Sequence, residues 1–179
     1  MRSAVLQCHP LRESYNEALL DHTLAGLRAG GSHPEVFRLA EEPGPTGSDL
    51  DGVELVAFVH PIWWGGHPAP LLGWVQTQLG PWIDGDAATA SSPMRTVRQL
   101  LSVCSHGSSH LINRLQGEPA RKLMDRTVVG LCAPNADHQW TALYKLDRLE
   151  PSDLDEFLEL AEADARSLAE GLTSAVGAS

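Results

Sequence analysis

Residues 55–79, LVAFVHPIWWGGHPAPLLGWVQTQL, decide how this chain folds. The run Leu55–Val59 is apolar without alternation, which marks a strand buried on both faces. His60-Pro61 ends it in an extended conformation, because proline disfavours the helical region for the residue before it. Gly65-Gly66 permits a tight turn and close backbone approach, and Ala69–Leu79 then reads as a helix. Trp63 and Trp64 bring to that turn more apolar area than water tolerates without a reason. They either cap the core and plug a subunit interface, or they wall a site for something flat.

Working outward, the same grammar recurs. Ala4–Cys8 is a short buried strand followed by His9-Pro10-Leu11-Arg12-Glu13-Ser14. Ser14 and Glu17 have the spacing of a capping box, and Leu20, Leu24 and Leu27 stripe one face of the helix that ends at Gly30-Gly31. Val36–Leu39 is a second strand, and Glu41–Asp51 is a polar loop. Gly80–Pro93 is too rich in Gly, Pro, Asp, Ala and Ser for regular structure and forms a long excursion. Leu100–Cys104 is the fourth strand, running straight into Ser105-His106-Gly107-Ser108-Ser109-His110. Glu118–Met124 is helical, Thr127–Cys132 is the fifth strand, and Trp140–Leu146 is either strand or irregular cover. The last helix is capped by Ser152 and striped by Leu154, Phe157, Leu158, Ala161, Ala165, Leu168 and Leu172.

Short apolar strands separated by helices predict an α/β three-layer sandwich: a five-stranded parallel sheet in order 2-1-3-4-5, helices on both faces, one domain over 1–179. Ligands of such sheets bind beyond the carboxyl ends of the strands, where the strand order reverses. The informative polar loops, His9–Asn16, Pro61–Pro68 and Ser105–His110, fall at those ends.

Composition narrows the function. A net charge of −10 argues against nucleic acid and anionic membrane surfaces as partners. No apolar run is long enough to cross a bilayer, and His9-Pro10 interrupts the N-terminal apolar run where a signal peptide would continue, so a cytoplasmic location is expected. Cys8, Cys104 and Cys132 read as reduced core thiols. The histidines do not fall into a metal-binding pattern, so no metal is expected. Neither a dinucleotide glycine fingerprint nor a nucleophile elbow is present. Ser14, Tyr15 and Asn16 open a helix whose free N–H groups and dipole suit a phosphate, although helices need caps whatever they bind.

These loops resemble the NAD(P)H:quinone oxidoreductase branch of the flavodoxin-like superfamily, which includes mammalian quinone reductase and bacterial azo and drug-modulator reductases. The branch carries a strand followed by H-P-x-x-x-S-x-N, here His9-Pro10 through Ser14 and Asn16. It also carries a P-x-x-W turn followed by P-A-x-L-K-G-W, here Pro61–Trp64 followed by Pro68-Ala69-Pro70-Leu71-Leu72-Gly73-Trp74. The L-x-G-E-P piece at Leu115–Pro119 and the closing helix extend the likeness over residues 3–170. The resemblance implies a flavodoxin-like fold holding FMN or FAD. Ser14, Tyr15 and Asn16, with His9 beside them, would take the flavin phosphate. Pro61, Ile62, Trp63 and Trp64 would carry the isoalloxazine, and Ser105, His106, Gly107 and Ser108 its polar edge. NAD(P)H would be the co-substrate and a quinone or similar small aromatic molecule the acceptor, with His106 as assisting catalytic residue. A homodimer would join around Trp63, Trp64 and the Trp74 helix. The chain departs from the branch at Leu72, Gln76, Ile112 and His106, and at a shortened Trp82–Ser92 loop. The alternative reading is a homologue without redox activity, serving as a binding protein or a specialised biosynthetic enzyme.

Overall fold

The computed structural model describes residues 1–83 and 92–176; the middle of the Gly80–Pro93 excursion lies outside them. The strands are β1 (Arg2–Gln7), β2 (His33–Arg38), β3 (Val53–Ile62), β4 (Gln99–His106) and β5 (Asp137–Leu143). They form one sheet in the expected order β2-β1-β3-β4-β5, and every pairing is parallel. Helix α1 (Tyr15–Ala29) and helix α6 (Pro151–Val176) cover one face. There Leu19, Leu20 and Leu27 meet Val5, Ala57, Val59 and Val103, with Ala161, Ala165 and Ala169 from α6. On the other face, Leu6, Phe58 and Leu100 pack against α2 (Ala69–Trp74) and the turns that follow α5 (Pro119–Leu123). The result is a three-layer α/β sandwich of flavodoxin-like topology. Among the described residues, no helix is long and apolar enough to cross a membrane.

Two helices touch through bare backbone. A Cβ built on Gly26 of α1 would overlap the Glu162 carbonyl oxygen of α6, and one on Gly30 would lie 2.6 Å from the Ala169 Cβ. Glycines one turn apart, facing Ala161, Ala165 and Ala169, let α1 and α6 approach until main chain meets main chain. Tyr15 Oη donates to the Leu154 carbonyl at 2.8 Å and pins the other end of the same pair.

The apolar run Thr127–Cys132 predicts the fifth strand, but the structure has helical turns there. Residues Met124–Val128 form a π turn and Val129–Leu131 a 3₁₀ turn prolonging α5. Met124, Val128 and Leu131 are buried at i, i+4, i+7, a helical stripe hidden inside an apolar run too short to show its period. The true β5 contains Trp140–Leu143, the segment left open between strand and cover. As an edge strand it is buried on one side only in part, so its composition is mixed. The α2 helix likewise continues past Leu79, through a π turn at Val75–Leu79 into α3 (Gly80–Ile83). Helix α6 starts at Pro151, not after Ser152. Proline suits the first helical position, and Asp153 Oδ2 accepts from the Glu150 N–H at 3.1 Å.

The helix contact predicts opposite outcomes for two glycine-to-alanine changes. Gly26→Ala must push α6 away and should cost about 3 kcal/mol. Gly171→Ala, whose Cβ meets nothing within 4 Å, should add about 0.5–1 kcal/mol from helix propensity. Urea denaturation followed by circular dichroism measures both.

Candidate functional site

At the carboxyl ends of β1, β3 and β4 lies a crevice of about 540 Å³, within the usual size range of small-molecule sites. The Trp turn walls one side, with Pro61, Ile62, Trp63, Trp64 and Gly65; Ser105, Gly107 and Ser108 form another; His9 and Asn16 stand at the α1 end. Of the expected site residues, the structure brings these together. Ser14, Tyr15 and His106 do not line the crevice.

The Trp turn is a two-residue hairpin turn. Trp63 N donates to Gly66 O at 3.1 Å and Gly66 N to Trp63 O at 2.9 Å. The two central residues have positive φ, +55° at Trp64 and +79° at Gly65, the type I′ pattern. Glycine adopts that conformation freely, but for tryptophan it is an outlier. Trp64 is also wholly exposed, at 103%, so packing does not hold it there. Trp63, half-exposed, sits with its ring centroid 5.8 Å from that of His9. The helix after the turn behaves otherwise than expected. Trp74 and Leu71 are buried in the core, and Trp74 Nε1 donates to the Pro45 carbonyl at 2.8 Å. That helix therefore offers no Trp74 face for a subunit interface.

The entrance of α1 is uncapped by side chains, which corrects the expected capping box. Ser14 Oγ donates instead to the Leu11 carbonyl at 2.9 Å. Glu17 is drawn off by Arg38 of β2, which reaches it through both terminal nitrogens, and this partner holds the Glu17 carboxyl below its ordinary range. A half-buried bidentate ion pair outcompetes a neutral cap. Glu17 N donates to the Ser14 carbonyl at 2.9 Å, and the N–H groups of Tyr15 and Asn16 remain available for an anion. Asn16 is buried beside them. Its Nδ2 donates to Ser105 Oγ at 3.3 Å, while its Oδ1 is a buried acceptor without a donor. Among the described residues, no Lys or Arg lines the crevice, and its one carboxylate is Asp147.

Strand geometry explains the absence of His106. Successive side chains of a strand point to opposite faces, so Ser105 faces α1 while His106 turns to the other side. There its ring stacks on Tyr144 with centroids 4.4 Å apart. With Asn113 Nδ2 donating to Ser108 Oγ at 2.7 Å and to Ser109 O at 3.0 Å, Asn113 Oδ1 is left to accept from His106 Nδ1 at 3.0 Å. His106 is therefore a buried support, acting through Asn113 on a hydroxyl that does line the crevice. Sequence reasoning missed Asn113. Its signal was an amide in α4 (His110–Leu115), a helix directly after a Ser/His loop.

His106 belongs to a buried group of imidazoles. His60 donates from Nδ1 to the Pro61 carbonyl at 3.0 Å, and its ring lies 4.7 Å from that of His67, which reaches the Ala120 carbonyl at 3.0 Å. Among the described residues, the other nitrogen of each of these two rings has no hydrogen-bond partner. His138 bridges Asp125 and Ser102. Burial lowers the pKa of all four, to about 4 for His67 and for His106. Among the described residues, no three His, Cys, Asp or Glu side chains are arranged to hold a metal ion.

No family model matches the sequence, and no curated protein matches it. Solved structures do. An NAD(P)H:quinone oxidoreductase from Methanothermobacter marburgensis superposes with a TM-score of 0.68 at 18% identity, covering 94% of this chain and 96% of its own. An FMN-dependent NADH-azoreductase from Bacillus anthracis, solved in complex with FMN, gives 0.73 at 13% identity, over 94% and 99%. A flavodoxin from the domain Archaea gives 0.61 at 13%, over 95% and 99%. At these identities the likeness establishes a shared fold.

The histidine group predicts acid sensitivity. These rings are neutral in the fold and gain protons more readily when unfolded. Stability is therefore full above the ordinary histidine pKa near 6.5 and falls as pH drops from there toward 4. Between pH 7 and 5, His67 and His106 should each cost about 2 kcal/mol. Urea midpoints across this range measure the loss, and His67→Gln should flatten the dependence.

Proposed function

We propose that this protein is a flavin-dependent NAD(P)H oxidoreductase that reduces a quinone or similar small aromatic acceptor. The observation that carries the reading is the crevice itself: an aromatic turn on one side, a serine- and glycine-bearing loop on the other, and an uncapped helix entrance at one end. The solved relatives of the same fold include a quinone oxidoreductase and an FMN-bound azoreductase, which supports it.

The residues present fit a flavin. The free N–H groups at the start of α1 suit a phosphate, with the helix dipole in place of a lysine or arginine. The buried Asn16 Oδ1 lacks a donor, and the hydroxyls of a ribityl chain are donors. Pro61–Gly65 offer backbone and aromatic surface to a flat ring, and Ser105, Gly107 and Ser108 offer hydroxyl and N–H groups to its polar edge. A bound flavin would accept two electrons and a proton equivalent from the nicotinamide and deliver them to the acceptor. The chain's own part is orientation. His106 holds Asn113, which holds Ser108, and the neutral imidazole keeps this relay uncharged. Trp63 and Trp64, both exposed at the crevice mouth, are the apolar surface that a second copy would cover in a homodimer.

Purified protein should carry, or take up, FMN or FAD with the flavin absorbance near the visible blue. A colourless protein that takes up neither would sink the reading in favour of a binding protein without redox chemistry. Asn16→Asp, which sets a carboxylate beside the phosphate position, should weaken FMN binding at least tenfold, about 1.4 kcal/mol, by equilibrium titration. Trp64→Asn relieves a left-handed tryptophan and should raise stability by about 1 kcal/mol, while weakening FMN. A variant that gains stability and keeps full FMN affinity would remove Trp64 from the site.

A further inference from the structure

Against the crevice lies a second cavity, of about 580 Å³, that shares the Gly107-Ser108 wall with it. The two differ in charge. Among the described residues, the crevice has Asp147 and no Lys or Arg, while the second cavity is lined by Lys145, Arg148 and His110, without a carboxylate. One short turn makes the division. Residues Leu146–Arg148 are a single 3₁₀ turn after Lys145, and Arg148 N donates to Lys145 O at 2.8 Å. Lys145 and Arg148 line one cavity while Leu146 and Asp147, between them in the chain, line the other.

The cations are positioned and unspent. Lys145 N donates to the Ser108 carbonyl at 3.0 Å, which ties this loop to the wall between the cavities. The residue is held at φ +60°, where a lysine costs more than a glycine. Neither Lys145 nor Arg148 has an ion-pair partner among the described residues, although the chain carries 23 acidic side chains against 13 Lys and Arg. Beside them Leu111 and Ile112, 65% and 47% exposed, provide an apolar shelf in the same lining. Two cations next to an apolar shelf recognise a phosphate joined to a base.

We propose that this cavity receives the adenosine-phosphate arm of a dinucleotide whose redox-active half lies in the crevice. The proposal rests on the flavin reading for that second half. An adenosine-phosphate arm has two sources, a nicotinamide dinucleotide and FAD, and both present the same chemistry to Lys145 and Arg148.

The test is calorimetric titration of flavin-free protein with 5′-ADP, 2′,5′-ADP, FMN and FAD, repeated on Lys145→Gln/Arg148→Gln. Both positions are exposed, and circular dichroism checks the fold. Loss of each charged contact should weaken ADP binding about tenfold, about a hundredfold for the pair, with FMN affinity unchanged. Wild-type affinity for ADP should also fall with added salt. A matching loss of FAD affinity alone identifies FAD as the source. A loss confined to NADH or NADPH binding, measured on FMN-loaded protein, identifies the nicotinamide nucleotide, and preference for 2′,5′-ADP identifies NADPH. The subsite is overturned if wild type and variant bind ADP equally, or if wild type ignores both ADP probes at millimolar concentration while binding FMN. Lys145-dependent ADP binding in a protein that refuses FMN and FAD would uphold the subsite and overturn the flavin reading.

Discussion

Everything at the carboxyl edge of the sheet depends on two hydrogens, the missing side chains of Gly26 and Gly30. They let α1 lie on the main chain of α6, so the inclination of α1 is set by backbone contact, which tolerates little adjustment. The opposite end is pinned from two directions, by Tyr15 to Leu154 and by Glu17 to Arg38. A helix entrance fixed in this way presents its N–H groups in one place whether or not anything binds them. The site at α1 is prepared by packing some distance from it, and binding there need not order the chain.

The fold was legible where burial on both faces erased ambiguity. Leu55–Val59 and Leu100–Cys104 are central strands, the first apolar throughout and the second broken only by Ser102, and such runs could hardly mean anything else. Legibility failed at the sheet's edge. Asp137–Leu143 mixes polar and apolar residues because one side of the pairing is open, whereas Thr127–Cys132 looks like a strand and is the buried end of a helix. Local pattern cannot separate these, since tertiary packing decides which apolar run joins the sheet.

The candidate site was legible in its loops and less so in its side chains. Of the expected residues, His9, Asn16, Pro61, Ile62, Trp63, Trp64, Ser105, Gly107 and Ser108 line one crevice. Ser14, Tyr15 and His106 do not, and for the first and last the reasons differ. Ser14 lost its capping partner to an arginine distant in sequence, which no local spacing reveals. His106 follows Ser105 directly on an extended strand, and two adjacent residues there cannot both face one cavity. Strand parity alone was enough to exclude one of them. Which one depended on the face taken by α1, and that is a fact of packing.

Trp64 has an optical consequence. The chain contains five tryptophans; Trp74 is buried and hydrogen-bonded to a carbonyl, whereas Trp64 stands fully in water at the crevice mouth. An indole in water emits at longer wavelength than one in a protein core and is open to collisional quenchers such as acrylamide. The long-wavelength edge of the intrinsic emission therefore belongs largely to the residue that borders the crevice. A flat molecule entering beside it would shield or quench that part of the spectrum and leave the Trp74 emission in place, so that occupancy is visible without any label.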